Sequence, residues 1–68
     1  MSMKPNEESV EGRSPLGVSM AVKDAVEKWE HKNGKPKHGE TVMLRVTDTF
    51  VEFENPVRDY IVFLGPAG

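Results

Sequence analysis

Cysteine is absent from this sequence of 68 residues, and tryptophan and tyrosine occur once each. The absence of cysteine excludes disulfide bridges and cysteine-ligated metals as sources of stability. A chain of this length buries only about 60% of the surface that its unfolded form exposes, so its core depends on good packing or on a partner chain. The lack of cysteine also fits a reducing compartment, and we expect a cytoplasmic protein.

Long hydrophobic runs are also missing. The longest uninterrupted apolar stretch, YIVFL, has five residues, whereas a membrane-spanning helix needs roughly 20. No basic segment followed by an apolar one resembles a signal peptide. The net charge of −2 indicates no general affinity for nucleic acid or anionic membranes. We therefore expect a soluble protein that binds neither membrane nor nucleic acid.

Residues 1–13 are predicted to form a disordered tail. Val10 is their only apolar side chain apart from methionine, so burial cannot offset the entropy lost on ordering the segment. The folded domain is expected to span residues 14–65.

Residues 14–33 are predicted to form a helix. Ser14 and Pro15 suit a helix start, and Asn33-Gly34 suits a helix end. Apolar residues recur between these limits at helical spacing and predict one buried stripe. The stripe consists of Val18, Val22, Ala25, Val26 and Trp29, with Ala21 at its margin.

Residues 41–64 alternate between apolar and polar side chains, as strands do. The alternation changes phase between Val46 and Val51, which requires either a bulge or a turn at residues 46–49. We favour a β-bulge near Thr47-Asp48, because a tight turn there would lack the Gly or Asn that hairpin turns prefer. Asn55-Pro56 suits a turn, and a four-residue loop would place Phe53 opposite Tyr60. The expected fold class is α+β: one helix followed by a long antiparallel hairpin whose first strand is bulged.

Part of this hairpin is predicted to remain uncovered. One helix cannot cover both faces of a sheet, and residues 42–46 have no pairing partner in the predicted hairpin. We therefore expect a homodimer or larger assembly that completes or covers the sheet. The candidate interface residues are Val42, Met43, Leu44, Phe50, Ile61 and Phe63.

The segment HKNGKPKHGE, residues 31–40, contains both histidines. His31 and His38 are too few for a zinc site, and the lysines lack the glycine-rich pattern that binds phosphate at a helix start. We interpret the segment as a solvated loop and predict neither metal nor cofactor. Ser2 and Ser9 lie in the predicted tail and Ser14 suits a helix cap, so we predict no hydrolytic triad with a histidine and do not expect an enzyme.

A helix followed by a long, curved antiparallel hairpin resembles the dodecins, small flavin-storing assemblies of similar length. The resemblance covers the topology of residues 15–64 and includes no motif, so it implies no site residue. Dodecins begin with a strand before the helix and stack flavin on a tryptophan of the sheet, whereas Trp29 lies in the predicted helix. Two functions follow: a non-enzymatic binding or assembly module that acts as a homo-oligomer, or a flavin-like small-molecule binding or storage protein.

Overall fold

The computed structural model describes residues 9–67. It contains strand β1 (Val10–Ser14), helix α1 (Val18–Asn33), strand β2 (Leu44–Phe53) and strand β3 (Val57–Pro66). The strands form one antiparallel sheet in the order β1-β3-β2. The predicted α+β class and the hairpin after the helix are confirmed. No helix within residues 9–67 is long and apolar enough to cross a membrane.

Strand β1 corrects the predicted boundary of the domain. Residues 10–13, assigned to a disordered tail from their composition, pair with β3 from Val10↔Leu64 to Ser14↔Tyr60. The rest of the predicted tail, residues 1–8, lies outside the described residues. The composition was misleading because β1 is held by backbone pairing and close packing rather than by large apolar side chains.

That close packing centres on Gly12, which is buried against the helix. A Cβ atom at this position would lie 2.5 Å from the Ala25 nitrogen and 2.6 Å from Ala25 Cβ, and would overlap the Ala21 carbonyl oxygen. Only glycine therefore allows the backbones of β1 and α1 to approach this closely.

The helix begins four residues later than predicted, at Val18. Ser14 ends β1 instead of capping α1, and its Oγ accepts a hydrogen bond from the Leu16 N–H at 3.0 Å. The predicted helix end is confirmed. Gly34 follows Asn33 with φ 86°, and its N–H donates to the Glu30 carbonyl at 2.7 Å.

The bulge in β2 is confirmed, because the register with β3 shifts between Val46 and Asp48. The predicted pairing is wrong by two residues: Tyr60 faces Val51 rather than Phe53. The loop is shorter than predicted, with β2 ending at Phe53 and β3 starting at Val57. From Thr49 to Val51 the slip is even, so these side chains stay on their predicted faces. A second register shift follows between Glu52 and Phe53. The longer overlap also gives residues 44–46 partners, at Pro66, Gly65 and Leu64, so this segment is paired after all.

The core lies between α1 and the strands β1 and β3. Ala21 and Ala25 of the helix meet Val62 and Leu64 of β3, all of them buried. The helix packs on β1 and β3, and β2 extends beyond it. Leu44 is consequently the only residue of β2 that is not classed as exposed.

Candidate self-association surface

Strand β2 exposes large apolar side chains on both faces of the sheet. Val46 is 42% exposed, Phe50 and Val51 are each 51% exposed, and Phe53 is 71% exposed. A chain this small can bury few side chains. Four exposed large apolar side chains on a single strand are therefore a substantial share of the apolar surface that burial could use to stabilise it.

The helix-side face of β2 continues the core outward. Val46, Thr49 and Val51 lie opposite Leu64, Val62 and Tyr60 of β3. The β3 residues are covered by α1, whereas their β2 neighbours are exposed. The same hydrophobic layer therefore runs from the closed core to open solvent.

The outer face carries an aromatic cluster. Phe50 lies opposite Ile61, and its ring meets that of Phe63 edge to face, with centroids 6.0 Å apart. Edge-to-face rings attract each other through their quadrupoles. In the part of the chain that the structure describes, no helix covers this face, and Ile61 and Phe63 are only half-buried.

The predicted interface residues separate into three groups. Phe50, Ile61 and Phe63 form the outer-face cluster, as their alternation indicated. Leu44 lies on the opposite face and packs against the core. Val42 and Met43 precede β2 and are 41% and 72% exposed, and the Met43 carbonyl accepts a hydrogen bond from the Ala67 N–H at 3.1 Å.

The two edges of the sheet differ. At the β1 edge, the Arg13 N–H donates to Asp24 Oδ2 at 3.0 Å and Lys28 Nζ donates to the Glu11 carbonyl at 3.0 Å. Helix side chains thus bind the backbone groups that an approaching strand would need. Within residues 9–67, β2 ends the sheet order and no strand pairs with its outer edge. Sequence reasoning missed this edge protection because it assigned Glu11 and Arg13 to the tail.

An ion-pair network joins the three strands on the outer face. The Arg13 guanidinium lies 2.8 Å from Glu11, 3.3 Å from Asp59 and 3.7 Å from Glu52. The hydrogen bond to Glu11, followed by the three negative charges, raises the pKa of Arg13 against the opposing effect of its burial. These side chains are solvent-accessible, so the network orients the strands more than it stabilises them.

The backbone hydrogen bond from Arg13, and then the bond and charge of Lys28, lower the pKa of Asp24 against the opposing effect of burial. A carboxyl group whose pKa is lowered by folding stabilises the folded state when the pH is above its ordinary, unfolded-state pKa. This contribution is lost as the pH falls through the lower folded-state pKa. Asp24→Asn is expected to lower the melting temperature by roughly 3–5 °C at pH 7. The deficit should begin to shrink as the pH falls below about 4, the ordinary aspartate pKa, and should continue to shrink toward the lower folded-state pKa. Thermal unfolding at a fixed protein concentration from pH 7 to 3 checks this, and a constant deficit would contradict it.

The segment at residues 31–40 is exposed throughout, including His31 and His38. Within residues 9–67, no three histidine, aspartate or glutamate side chains are grouped closely enough to hold a metal ion. An open cleft of 330 Å³ lies between α1 and the end of β1, and its charged lining includes Arg13, Lys23, Asp24 and Glu27. With both signs of charge and no aromatic ring, the cleft lacks the stacking surface of a flavin-like site.

No family model matches the chain, and neither a curated protein nor a solved structure matches it.

Proposed function

We propose that this protein is a small non-enzymatic binding or assembly module that acts as a homo-oligomer through its sheet surface. The observation that carries the proposal is the exposure of β2: its apolar side chains line both faces, and the helix extends over β1 and β3 only. The half-buried Phe50–Phe63 cluster adds an apolar patch on the outer face. A second copy of the chain carries the matching apolar surfaces.

The expected energetic gain is large for a domain of this size. Full burial of a phenylalanine or isoleucine side chain contributes about 1.5–3 kcal/mol. A single small core rarely supplies more than about 3–5 kcal/mol of net stability. Covering Phe50, Ile61 and Phe63 would therefore add stability comparable with that of the isolated domain, even though each side chain is already partly buried.

Sedimentation at micromolar concentration is expected to give a dimer or larger species whose melting temperature falls on dilution. Phe63→Lys should weaken association at least about tenfold, because it places a charge in the buried patch. Lysine is preferable to glutamate, since Phe63 lies between Glu11 and Asp48 in the sheet register. Thr41→Lys adds the same charge in the loop and should leave association unchanged. A wild-type monomer with a dilution-independent melting curve would refute the proposal.

A second candidate function is flavin-like small-molecule binding or storage in a dodecin-like assembly. One observation favours it: β1 precedes the helix, so the strand that this family places there is present. The described chain still has no tryptophan in its sheet, and the exposed or half-buried phenylalanines available for stacking are Phe50, Phe53 and Phe63. The absorbance spectrum of the purified protein separates the two candidates, because a bound flavin absorbs in the visible and an assembly module does not.

A further inference from the structure

The hydrogen bonds of β1 show which residues of β2 direct their backbone N–H and C=O groups to the open edge of the sheet. The Arg13 N–H and the Glu11 carbonyl point away from β3, toward α1. Residues that bond to a neighbouring antiparallel strand alternate with residues that point away from it. The even-numbered residues of β1 therefore bond to β3, and Gly12 bonds to its partner Val62.

The same alternation continues across β3. If Val62 points toward β1, then Ile61 and Phe63 point toward β2 and bond to their partners Phe50 and Asp48. The bond from the Ala67 N–H to the Met43 carbonyl belongs to this odd-numbered series of β3. The β2 residues between these positions direct their N–H and C=O groups to the open edge. They are Leu44, Val46, Thr49 and Val51.

We propose that two copies of this chain pair their β2 edges antiparallel about a two-fold axis at Thr49, joining two three-stranded sheets into one. The inference rests on the proposed self-association and adds an edge contact to it. Phe63 lies on the central strand β3, so covering its face is a separate contact. With Thr47 bulged out of each strand, Thr49 faces Thr49, and Val46 faces Val51 of the second copy. On the outer face, Arg45 then faces Glu52 of the second copy.

Charge selects this register among its neighbours. Centring the pair on Phe50 would place Asp48 opposite Glu52 of the second copy, and centring it on Val51 would place Asp48 opposite Glu54. Centring it on Asp48 would oppose the two Asp48 side chains. Like charges directly opposite each other destabilise a strand pair, and opposite charges stabilise it. The Thr49 register avoids all three repulsions and forms two Arg45–Glu52 pairs.

Arg45 is suited to this contact. It forms no ion pair with any residue of the described chain, although it lies in a strand with acidic side chains. Arg45 and Glu52 of one chain are seven residues apart on β2, which is roughly 23 Å in a strand. Any attraction between these two positions must therefore act between copies.

The other edge of the sheet limits edge pairing to two copies. Asp24 binds the Arg13 N–H and Lys28 binds the Glu11 carbonyl, so these two outward groups of β1 are not available to another strand. Within the described chain, β2 offers the unpaired edge. A two-fold contact through that single edge is self-complementary and closes at two copies.

Charge reversal tests the register. Arg45→Glu and Glu52→Arg should each weaken the dimer about tenfold, because each turns two attractions into repulsions. The double variant should regain wild-type affinity. An equimolar mixture of the two single variants should form a heterodimer, since both of its contacts pair opposite charges. Sedimentation measures each case, and circular dichroism checks that the variants fold.

A cysteine substitution provides a second test that is independent of charge. Hydrogen-bonded antiparallel partners have Cα atoms about 5.5 Å apart, which is within reach of a disulfide. Because the native chain has no cysteine, Thr49→Cys should give a covalent dimer on mild oxidation. Thr41→Cys is the control, because its two copies would lie roughly 50 Å apart across the axis.

The outcomes separate this inference from the proposed function. A dimer that responds to Phe63→Lys, but shows neither charge-swap rescue nor the Thr49 cross-link, would overturn the edge pairing and leave self-association intact. A wild-type monomer would overturn both. Rescue together with the cross-link is the expected result.

Discussion

Gly12→Ala is expected to lower the melting temperature by about 4–24 °C. The new methyl group would lie 2.5 Å from the Ala25 nitrogen and 2.6 Å from Ala25 Cβ. The helix backbone cannot rotate away as a flexible side chain would, so α1 must move off the sheet. Overpacking of this kind costs about 1–3 kcal/mol, and each kcal/mol corresponds to about 4–8 °C for a domain of this size. Thermal unfolding followed by circular dichroism measures the effect.

Gly65→Ala is the matched control. Gly65 is also a buried strand glycine, but a Cβ atom there would meet only the Ser9 Oγ, at an ordinary 3.5 Å. Its melting temperature should stay within a few degrees of wild type. Equal losses in the two variants would contradict the role assigned to Gly12, because they would reflect only a general response to losing a strand glycine.

Deletion of residues 1–13 is expected to abolish cooperative unfolding. It removes all but one residue of β1, uncovers Ala21 and Ala25, and leaves one side of the central strand β3 unpaired. A two-stranded hairpin under one helix has too small a core to remain folded in water. Thermal melts and amide exchange measure the loss.

Deletion of residues 1–8 leaves β1 whole and should preserve a cooperative melt. This pair of deletions distinguishes the two interpretations of the N-terminal segment. The composition of residues 1–13 predicts that both deletions are harmless, whereas the pairing of β1 predicts that only the longer one is damaging. A full-strength melt for the longer deletion would show that β1 contributes nothing to the stability of the domain.

Side-chain patterns predicted the hairpin well. The change of phase between Val46 and Val51 located the bulge, and the faces of Phe50, Ile61 and Phe63 were correct even though the register slipped by two residues. Faces survive an even slip because side chains alternate with a period of two. The turn and a second register shift between Glu52 and Phe53 together set the pairing, and the apolar pattern predicted neither.

β1 could not be found in the same way. Its central residue is glycine, which has no side chain and thus adds nothing to an apolar pattern, although its backbone is the part of β1 closest to the helix. The edge contacts of Asp24 and Lys28 were equally hidden, because both bind main-chain atoms of β1. Ser14 and Pro15 did mark a boundary, but it is the end of a strand rather than the start of a helix.

The order of strands in the sheet has a consequence for folding. The central strand β3 is the last of the described elements along the chain, and both β1 and β2 pair with it alone. During synthesis, β1 and β2 therefore have no strand to pair with until β3 has emerged from the ribosome. Pairing Val10 with Leu64 closes a loop of nearly the whole described chain, and such distant contacts slow folding. Until β3 is available, β1 and the apolar β2 of the nascent chain are unpaired. In this state the chain is most able to bind chaperones and to aggregate.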